Sequence, residues 1–375
     1  MIKAFKYCLL PNNIQKEQLN QYFGSSRFVY NLALETKISV YTHSKVNLSC
    51  FDLMNQMKEL KDNEATWLSD TPSQVLQMSL RNLDNAYTNF FRGKGFPKFK
   101  NKHSKQSIQF PQGVRVNFDS GTIFFPKLKN VNVVLHRKFE GEIKTVTLSK
   151  TVTGKYFVSI LVDNQDLIPS KKPISSETAV GIDMGIKTFA TLSDGTSFAN
   201  PKFLRTNLKR LRIEKRTLAR RFKKGDNQSK NYNKQKIVVA LLHERIANQR
   251  KDYLHKVSTF MIRNFDTICL EDLNIKGMMA NHKLALSISE VGWNKFENML
   301  IYKSEWYGKN ISYIGAFEPS SKICSSCGKI NKELKLKHRN WTCICGANHN
   351  RDINAAINIK NFGLRIKPSN AKVSQ

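Results

Sequence analysis

The period of the apolar residues changes twice along this chain, and that change limits the folds open to it more than any other feature. From residue 12 to about residue 92 the spacing is helical. In PSQVLQMSLRNLDNAYTNFF, Val75, Leu76, Leu80, Leu83, Tyr87 and Phe90 fall on one face, and Gly93 and Gly95 break the pattern. From Lys105 to Val162 the pattern becomes short β-rich runs, SIQF, TIFF, NVVLH, KTVTLSKT and YFVSILV, separated by Gly, Asn and Pro. Residues 1 to about 10 also alternate like a strand. The polar stretch DLIPSKKPISSET, with two prolines and no periodicity, reads as a linker with a boundary near residue 175. Beyond it strands and helices alternate. A strand is expected over AVGIDMGIKTFATLS, helices at 203–222 and 230–264, a strand at TICLEDL, a helix near 290–307, a strand at NISYIGAFE and a last helix from Arg351 to about Phe362. That order predicts an α/β layer fold, preceded by a helical region and a small β-barrel or sandwich. At 375 residues the chain is also too long for one compact core.

Charge narrows the partners. A formal net charge of +32 gives a self-repelling surface unless a polyanion neutralises it, and nucleic acid is the obvious counterion. No run of eighteen apolar residues exists, and MIKAFKYCLLPNN has neither the apolar length nor the cleavage site of a signal peptide, so a cytoplasmic protein with no membrane partner is expected. Between Lys202 and Lys224 there are eleven Lys or Arg against one acid, Glu214, at helical spacing with Leu204, Leu208, Leu211 and Leu218 on another face. Such a one-sided run suits phosphate tracking, the alternative being a solvated cationic helix. In RGKGFPKFKNKHSK, Phe96 and Phe99 interleave with six cations, which suits stacking on unpaired bases; equally, the two rings could anchor a loop to the core.

Three acids stand out by their positions. Asp183 lies inside an apolar strand between Ile182 and Met184, with Gly181 and Gly185 leaving room for a backbone or a metal ion. Glu271 ends the apolar run Thr267 to Leu270, and Asp352 opens the last helix, where the positive end of the dipole favours an ionised carboxylate. Oxygen ligands of this kind hold Mg²⁺, and a pair of ions ~4 Å apart activates water and stabilises the leaving oxygen in phosphodiester hydrolysis.

Four of the seven cysteines crowd together. Cys324-Ser-Ser-Cys327-Gly forms one knuckle and Cys343-Ile-Cys345-Gly offers a second pair, enough for a structural zinc site of four thiolates. The second pair is one residue short of the usual spacing, and His349 is a conceivable substitute ligand.

Together, GIDMGIKTFATLSDG, ICLEDLN, CSSCG and WTCICGANHNRDINAAINI, with FGSSRFVYNLAL, PSQVLQMSLRNLDNAYTNFF and GFPKFK, resemble the TnpB (OrfB-type) proteins of bacterial insertion sequences over nearly the whole chain. These are similar to compact type V CRISPR effectors. The resemblance implies an RNA-guided DNA endonuclease with a multidomain α/β fold: an RNase H-like (RuvC) core with an inserted zinc ribbon, an N-terminal helical recognition lobe and an OB-like β-barrel wedge. The matching boundaries are 1–11 for the first wedge strand, 12–104 for the lobe, 105–175 for the wedge and linker, 176–318 for the core, 319–348 for the ribbon, and 349–375 for the core end and tail. Carried over by position, the motifs imply Asp183, Glu271 and Asp352 as catalytic ligands of Mg²⁺ or Mn²⁺, and Cys324, Cys327, Cys343 and Cys345 as ligands of Zn²⁺. The implied partners are a guide RNA from the element's own end and double-stranded target DNA, with monomer the favoured state. Expected nucleic-acid contacts are Arg27, Tyr30, Asn31, Lys98, Lys100, Lys209, Arg210, Arg212, Lys215, Arg216, Arg220 and Arg221. The chain departs from the family at the CxC pair and at Asn350, where an Asp often precedes Arg-Asp. The competing readings are a catalytically idle RNA-guided DNA-binding regulator, which should have lost an acid, a zinc-ribbon RNA-binding protein, and a transposase or its accessory.

Overall fold

The computed structural model describes residues 1–103, 105–225, 228–315, 318–335 and 338–365; the last ten residues of the expected tail lie outside these. The chain divides into two compact units, Met1–Asp166 and Leu167–Gln375.

In the first unit, β1 (Ile2–Leu10) leads into α1 (Asn13–Ser44), α2 (Cys50–Asn63), a 3₁₀ turn (Thr66–Asp70) and α3 (Ser73–Phe91). Asn12 and Ser49 start α1 and α2 as side-chain caps, each part of a reciprocal capping box. Six strands follow: β2 (Gln106–Phe110), β3 (Arg115–Asn117), β4 (Thr122–Phe125), β5 (Lys129–Val134), β6 (Glu142–Lys150) and β7 (Tyr156–Asp163). Their antiparallel sheet runs β2-β6-β7-β1-β5-β4-β3, with β1 paired to β7 from Ile2↔Asp163 to Leu9↔Tyr156 and to β5 at Cys8↔Val134. The alternating N-terminal residues therefore belong to the sheet built mostly from residues after 105. One sheet face is buried, with Ile108, Phe110, Ile123, Val131, Val158 and Ile160 joined by Leu19, Tyr22 and Phe23 of α1. A separate helical core gathers Val29, Leu34, Leu68, Leu76, Leu80 and Leu83.

The second unit is the alternating half. Its elements are β8 (Ala179–Met184), β9 (Thr188–Leu192), β10 (Ser197–Ala199), α4 (Phe203–Arg221), α5 (Lys230–Asn264), β11 (Thr267–Glu271), α6 (Ile275–Met279), α7 (His282–Val291), α8 (Trp293–Tyr307), β12 (Asn310–Ile314), β13 (Asn340–Thr342), β14 (Asn348–Asn350) and α9 (Arg351–Arg365). A five-stranded sheet has the order β10-β9-β8-β11-β12, in which β8, β11 and β12 are parallel, β9 runs antiparallel to β8, and β10 runs antiparallel to β9. Its core joins Val180, Ile182, Phe189, Ile268 and Leu270 to Leu254, Met261 and Phe296 of α5 and α8.

Two sequence expectations change here. AVGIDMGIKTFATLS is a hairpin, not one strand: the chain reverses after Met184, and a Cβ on Gly185 would lie 2.7 Å from the Thr188 carbonyl oxygen. The helix expected near 290–307 is α8, set off from α7 by Gly292 at φ +76°, a conformation that costs glycine little. No helix among the described residues is long and apolar enough to cross a membrane.

Candidate active site and metal centre

Asp183 and Glu271 end up on neighbouring parallel strands. The β8–β11 register pairs Cys269 with Gly181, and continuing it by two residues sets Glu271 beside Asp183 on the same face. Gly181 lets the third acid in. A Cβ there would lie 2.0 Å from the Ala356 carbonyl oxygen, so only glycine lets the α9 backbone rest on β8, one turn from Asp352. Asn350, the departure from the family pattern, caps α9: its Oδ1 accepts from the backbone N–H of Asp352 at 3.1 Å and of Ile353 at 3.2 Å.

The electrostatics register this convergence. Burial, reinforced by the charges of Glu271 and Asp352, pushes the Asp183 carboxyl from 3.8 to about 7, with Arg351 and Arg339 acting in the opposite sense. Arg339 Nη1 donates to Asp352 at 3.2 and 3.3 Å to its two oxygens. The Ser320 hydroxyl donates to Glu271 Oε1 at 2.6 Å. A cleft of about 670 Å³ opens here, lined by Asp183 and Asp352 and by the cations Lys187, Lys202, Arg205, Arg339 and Arg351. A buried carboxyl whose proton affinity is raised by two neighbouring carboxylates belongs to a donor set suited to hard divalent cations. Sequence reasoning passed over Arg339, Arg351 and Ser320. Arg351 stood next to Asp352 in the same motif, whereas Arg339 and Ser320 carry no local signal.

The four cysteines form a second centre. Their Sγ atoms all lie within 4.8 Å of one another, with Cys324–Cys345 at 3.7 Å and Cys327–Cys343 at 3.6 Å. Four thiolates about 2.3 Å from one tetrahedral ion are about 3.8 Å apart, so the set fits zinc, and the CxC pair reaches despite its short spacing. Each pair sits on a knuckle closed by glycine, Gly328 at φ +75° and Gly346 at φ +87°. His349 Nε2 lies 3.0 Å from Cys324 Sγ, and its ring packs on Trp341 with centroids 4.8 Å apart.

The basic tracts differ in how they pack. On α4, Leu211 packs with Val239 and Leu242 of α5, and Lys209, Arg210, Arg212, Lys215, Arg216, Arg220 and Arg221 are all exposed. Arg221 also donates to the Asn231 carbonyl at 3.2 Å and Gln235 Oε1 at 3.1 Å, tying α4 to α5. In the first unit, Asn31 holds the Lys100 backbone at both ends, donating to its carbonyl and accepting from its N–H at 2.8 Å each. Tyr30 is buried, and the Lys100 ammonium sits 3.7 Å above its ring. Arg27 reaches Gln106 Oε1 at 3.5 Å, and Lys98 is exposed. Phe96 packs edge-on against Tyr87 and Phe90, and both Phe96 and Phe99 are exposed.

Solved structures share this architecture. One, titled as a complex of Cas12f1 with single guide RNA and target DNA, aligns with a TM-score of 0.58 at 16% identity, over 93% of this chain and 83% of that one. Another, of the mini-RNA-guided endonuclease Cas_phi3, aligns at 0.51 and 11% identity, over 98% and 93%. At such identities the likeness is one of fold alone. Residues 158–282 match the family described as "Probable transposase" of the OrfB/IS605 type, and residues 293–359 match the "Cas12f1-like, TNB domain". Residues 1–45 match a "Helix-turn-helix domain", although here they form one strand and one continuous helix. A protein of Streptomyces pristinaespiralis with the provisional name RNA-guided DNA endonuclease is 36% identical over 96% of this chain and 89% of its own length. InsQ of Escherichia coli K12, provisionally named in the same way, is 34% identical over 97% and 93%. The chain belongs to this insertion-sequence family, the TnpB proteins.

Proposed function

We propose that this protein is an RNA-guided DNA endonuclease that hydrolyses phosphodiester bonds at an RNase H-like, RuvC-type site next to a short flanking motif. The observation that carries the reading is the convergence of Asp183, Glu271 and Asp352, which leaves Asp183 with its carboxyl pushed up to about 7. Numbered within their own sheet, the strands of the second unit run 3-2-1-4-5 with strand 2 antiparallel, the layout expected of an RNase H-like core. A catalytically idle binder would have no use for three acids held together at this cost.

Asp183, Glu271 and Asp352 would hold Mg²⁺ or Mn²⁺, which when bound supply Lewis-acid stabilisation and an activated water for phosphodiester hydrolysis. Arg339 holds the Asp352 carboxylate in place. Lys187, Lys202, Arg205 and Arg351 line the same cleft, where their charge draws in a phosphate backbone. Cys324, Cys327, Cys343 and Cys345 would hold a structural zinc that contributes folding energy. The exposed α4 cations and the Lys98–Lys100 loop act as phosphate contacts, and the +32 charge is matched by a resident RNA derived from the element's end. In this reading residues 12–104 form the recognition lobe, and β1 with residues 105–175 the OB-like wedge. Base pairing reads the target sequence, while the protein reads the flanking motif and duplex shape.

The test uses the complex purified with its RNA. Asp183→Ala, Glu271→Ala and Asp352→Ala should each abolish DNA cleavage and keep nucleic-acid binding, and withholding Mg²⁺ and Mn²⁺ should stop the wild-type reaction. Cleavage at the wild-type rate by any of the three would remove that acid from the site.

A further inference from the structure

Two buried amides on α9 face the segment that leads into the first cysteine knuckle. Asn354 and Asn358, 1% and 3% exposed, are four residues apart and share one helix face. A buried amide is costly unless its donors and acceptor find partners. Asn354 accepts the Ser325 N–H at 2.9 Å through Oδ1 and donates to the Ile323 carbonyl at 2.7 Å through Nδ2. Asn358 Nδ2 donates to the same carbonyl at 2.7 Å and to the Ser320 carbonyl, also at 2.7 Å. Ser320, itself buried, gives its one hydroxyl proton to Glu271 Oε1. A continuous hydrogen-bonded path therefore runs from the backbone beside Cys324, through α9 and Ser320, to the carboxylate at the end of β11.

We propose that Ser320 is the positioning residue for Glu271, held in place by Asn358 and, through the Ile323 carbonyl, by Asn354. A glutamate at a strand end has three side-chain torsions to fix, and one short hydrogen bond to a buried hydroxyl fixes them. With one lone pair of Oε1 taken by Ser320, the carboxylate would offer its remaining lone pairs to a cation. The same helix presses its backbone on Gly181 and carries Asp352 in its first turn, so one element references all three acids. Neither asparagine touches an acid; their effect passes through Ser320. The inference rests on Glu271 being a metal ligand, and its test keeps the two ideas apart.

The experiment follows Mn²⁺ binding to the full-length, zinc-containing protein by the loss of the free-ion EPR signal. It compares wild type, Ser320→Ala, Ser320→Thr and Glu271→Ala, with zinc content measured on each. Removing a hydrogen-bond partner of a metal ligand typically weakens metal binding by 10–100-fold, so Ser320→Ala should raise the Mn²⁺ midpoint by about tenfold or more at unchanged zinc content. Ser320→Thr keeps the hydroxyl and should stay close to wild type. In cleavage by the RNA complex, Ser320→Ala should shift the Mg²⁺ midpoint by a similar factor and keep most of the rate at saturating metal. A wild-type Mn²⁺ midpoint in Ser320→Ala, a parallel loss of zinc, or a threonine variant as weak as the alanine variant would each overturn the positioning role. If Glu271→Ala itself binds Mn²⁺ like wild type, the acid-site reading fails first.

Discussion

Replacing Asp183 by asparagine should inactivate the protein and at the same time stabilise it when divalent cations are scarce. The carboxyl is raised from 3.8 to about 7 by burial and by the charges of Glu271 and Asp352. Between those pH values the folded chain holds a proton at Asp183 that the unfolded chain has released. Stability from this group is fully present below pH 4 and is lost as pH rises through 7. At about 1.4 kcal/mol per pH unit, a shift of about three units amounts to about 4 kcal/mol, an upper figure because water reaches a half-buried carboxylate. Asparagine keeps the shape and never ionises, so it avoids this loss. At pH 8 the variant should therefore melt higher than wild type, with each kcal/mol worth about 2–4 °C in a domain of this size. The assay is thermal melting of both full-length chains from pH 4.5 to 8, with zinc retained and Mg²⁺ withheld. The difference between the chains should be near zero at the acid end and grow toward pH 8. Adding Mg²⁺ should raise the wild type and leave the variant unmoved, because the ion binds the ionised folded site. A difference that does not change with pH, or an asparagine variant less stable than wild type at pH 8, would refute the reasoning.

Elemental analysis should find one zinc per chain, and Cys324→Ser or Cys327→Ser should lose it together with thermal stability, because an ion held by all four thiolates would be part of the fold. Retention of full zinc by both Cys343→Ser and Cys345→Ser would instead point to His349, whose Nε2 is 3.0 Å from Cys324 Sγ. Changing Lys209, Arg210, Arg212 and Lys215 to glutamine should flatten the salt dependence of RNA binding, by roughly 0.7–0.9 in slope for each phosphate that is no longer neutralised. An unchanged slope would make α4 a solvated helix.

Local information in the sequence located most elements but not the relations among them. The helical face of Val75, Leu76, Leu80 and Leu83 is buried as its spacing predicts, because a helix buries whatever stripe its 3.6-residue period gathers. The boundaries of α5 and the start of α9 were equally plain. The hairpin in AVGIDMGIKTFATLS was not, because an apolar run buried on both faces shows no break and the turn rests on one glycine. The acids were legible only as a set, two of them in apolar strands and Asp352 at a helix start. Their meeting depends on parallel pairing of strands more than eighty residues apart and on the fit of Ala356 against Gly181, neither of which leaves a local trace. The cysteine cluster was legible in its first pair, and only the three-dimensional arrangement brings the CxC pair within reach. Asn350 is the reverse case: a departure from the family motif whose side chain turns out to cap the helix bearing Asp352.

The central claim, that an RNA carried by this protein chooses where it cuts, is tested most directly by exchanging the guide segment of the RNA in the purified complex and mapping cleavage on a DNA library. Cleavage should move to the sequence matching the new guide, at sites bearing the same flanking motif, and RNase treatment beforehand should abolish it. Cutting that stays at the original sequence, or survives removal of the RNA, would contradict the account and leave a metal-dependent nuclease that is not guided.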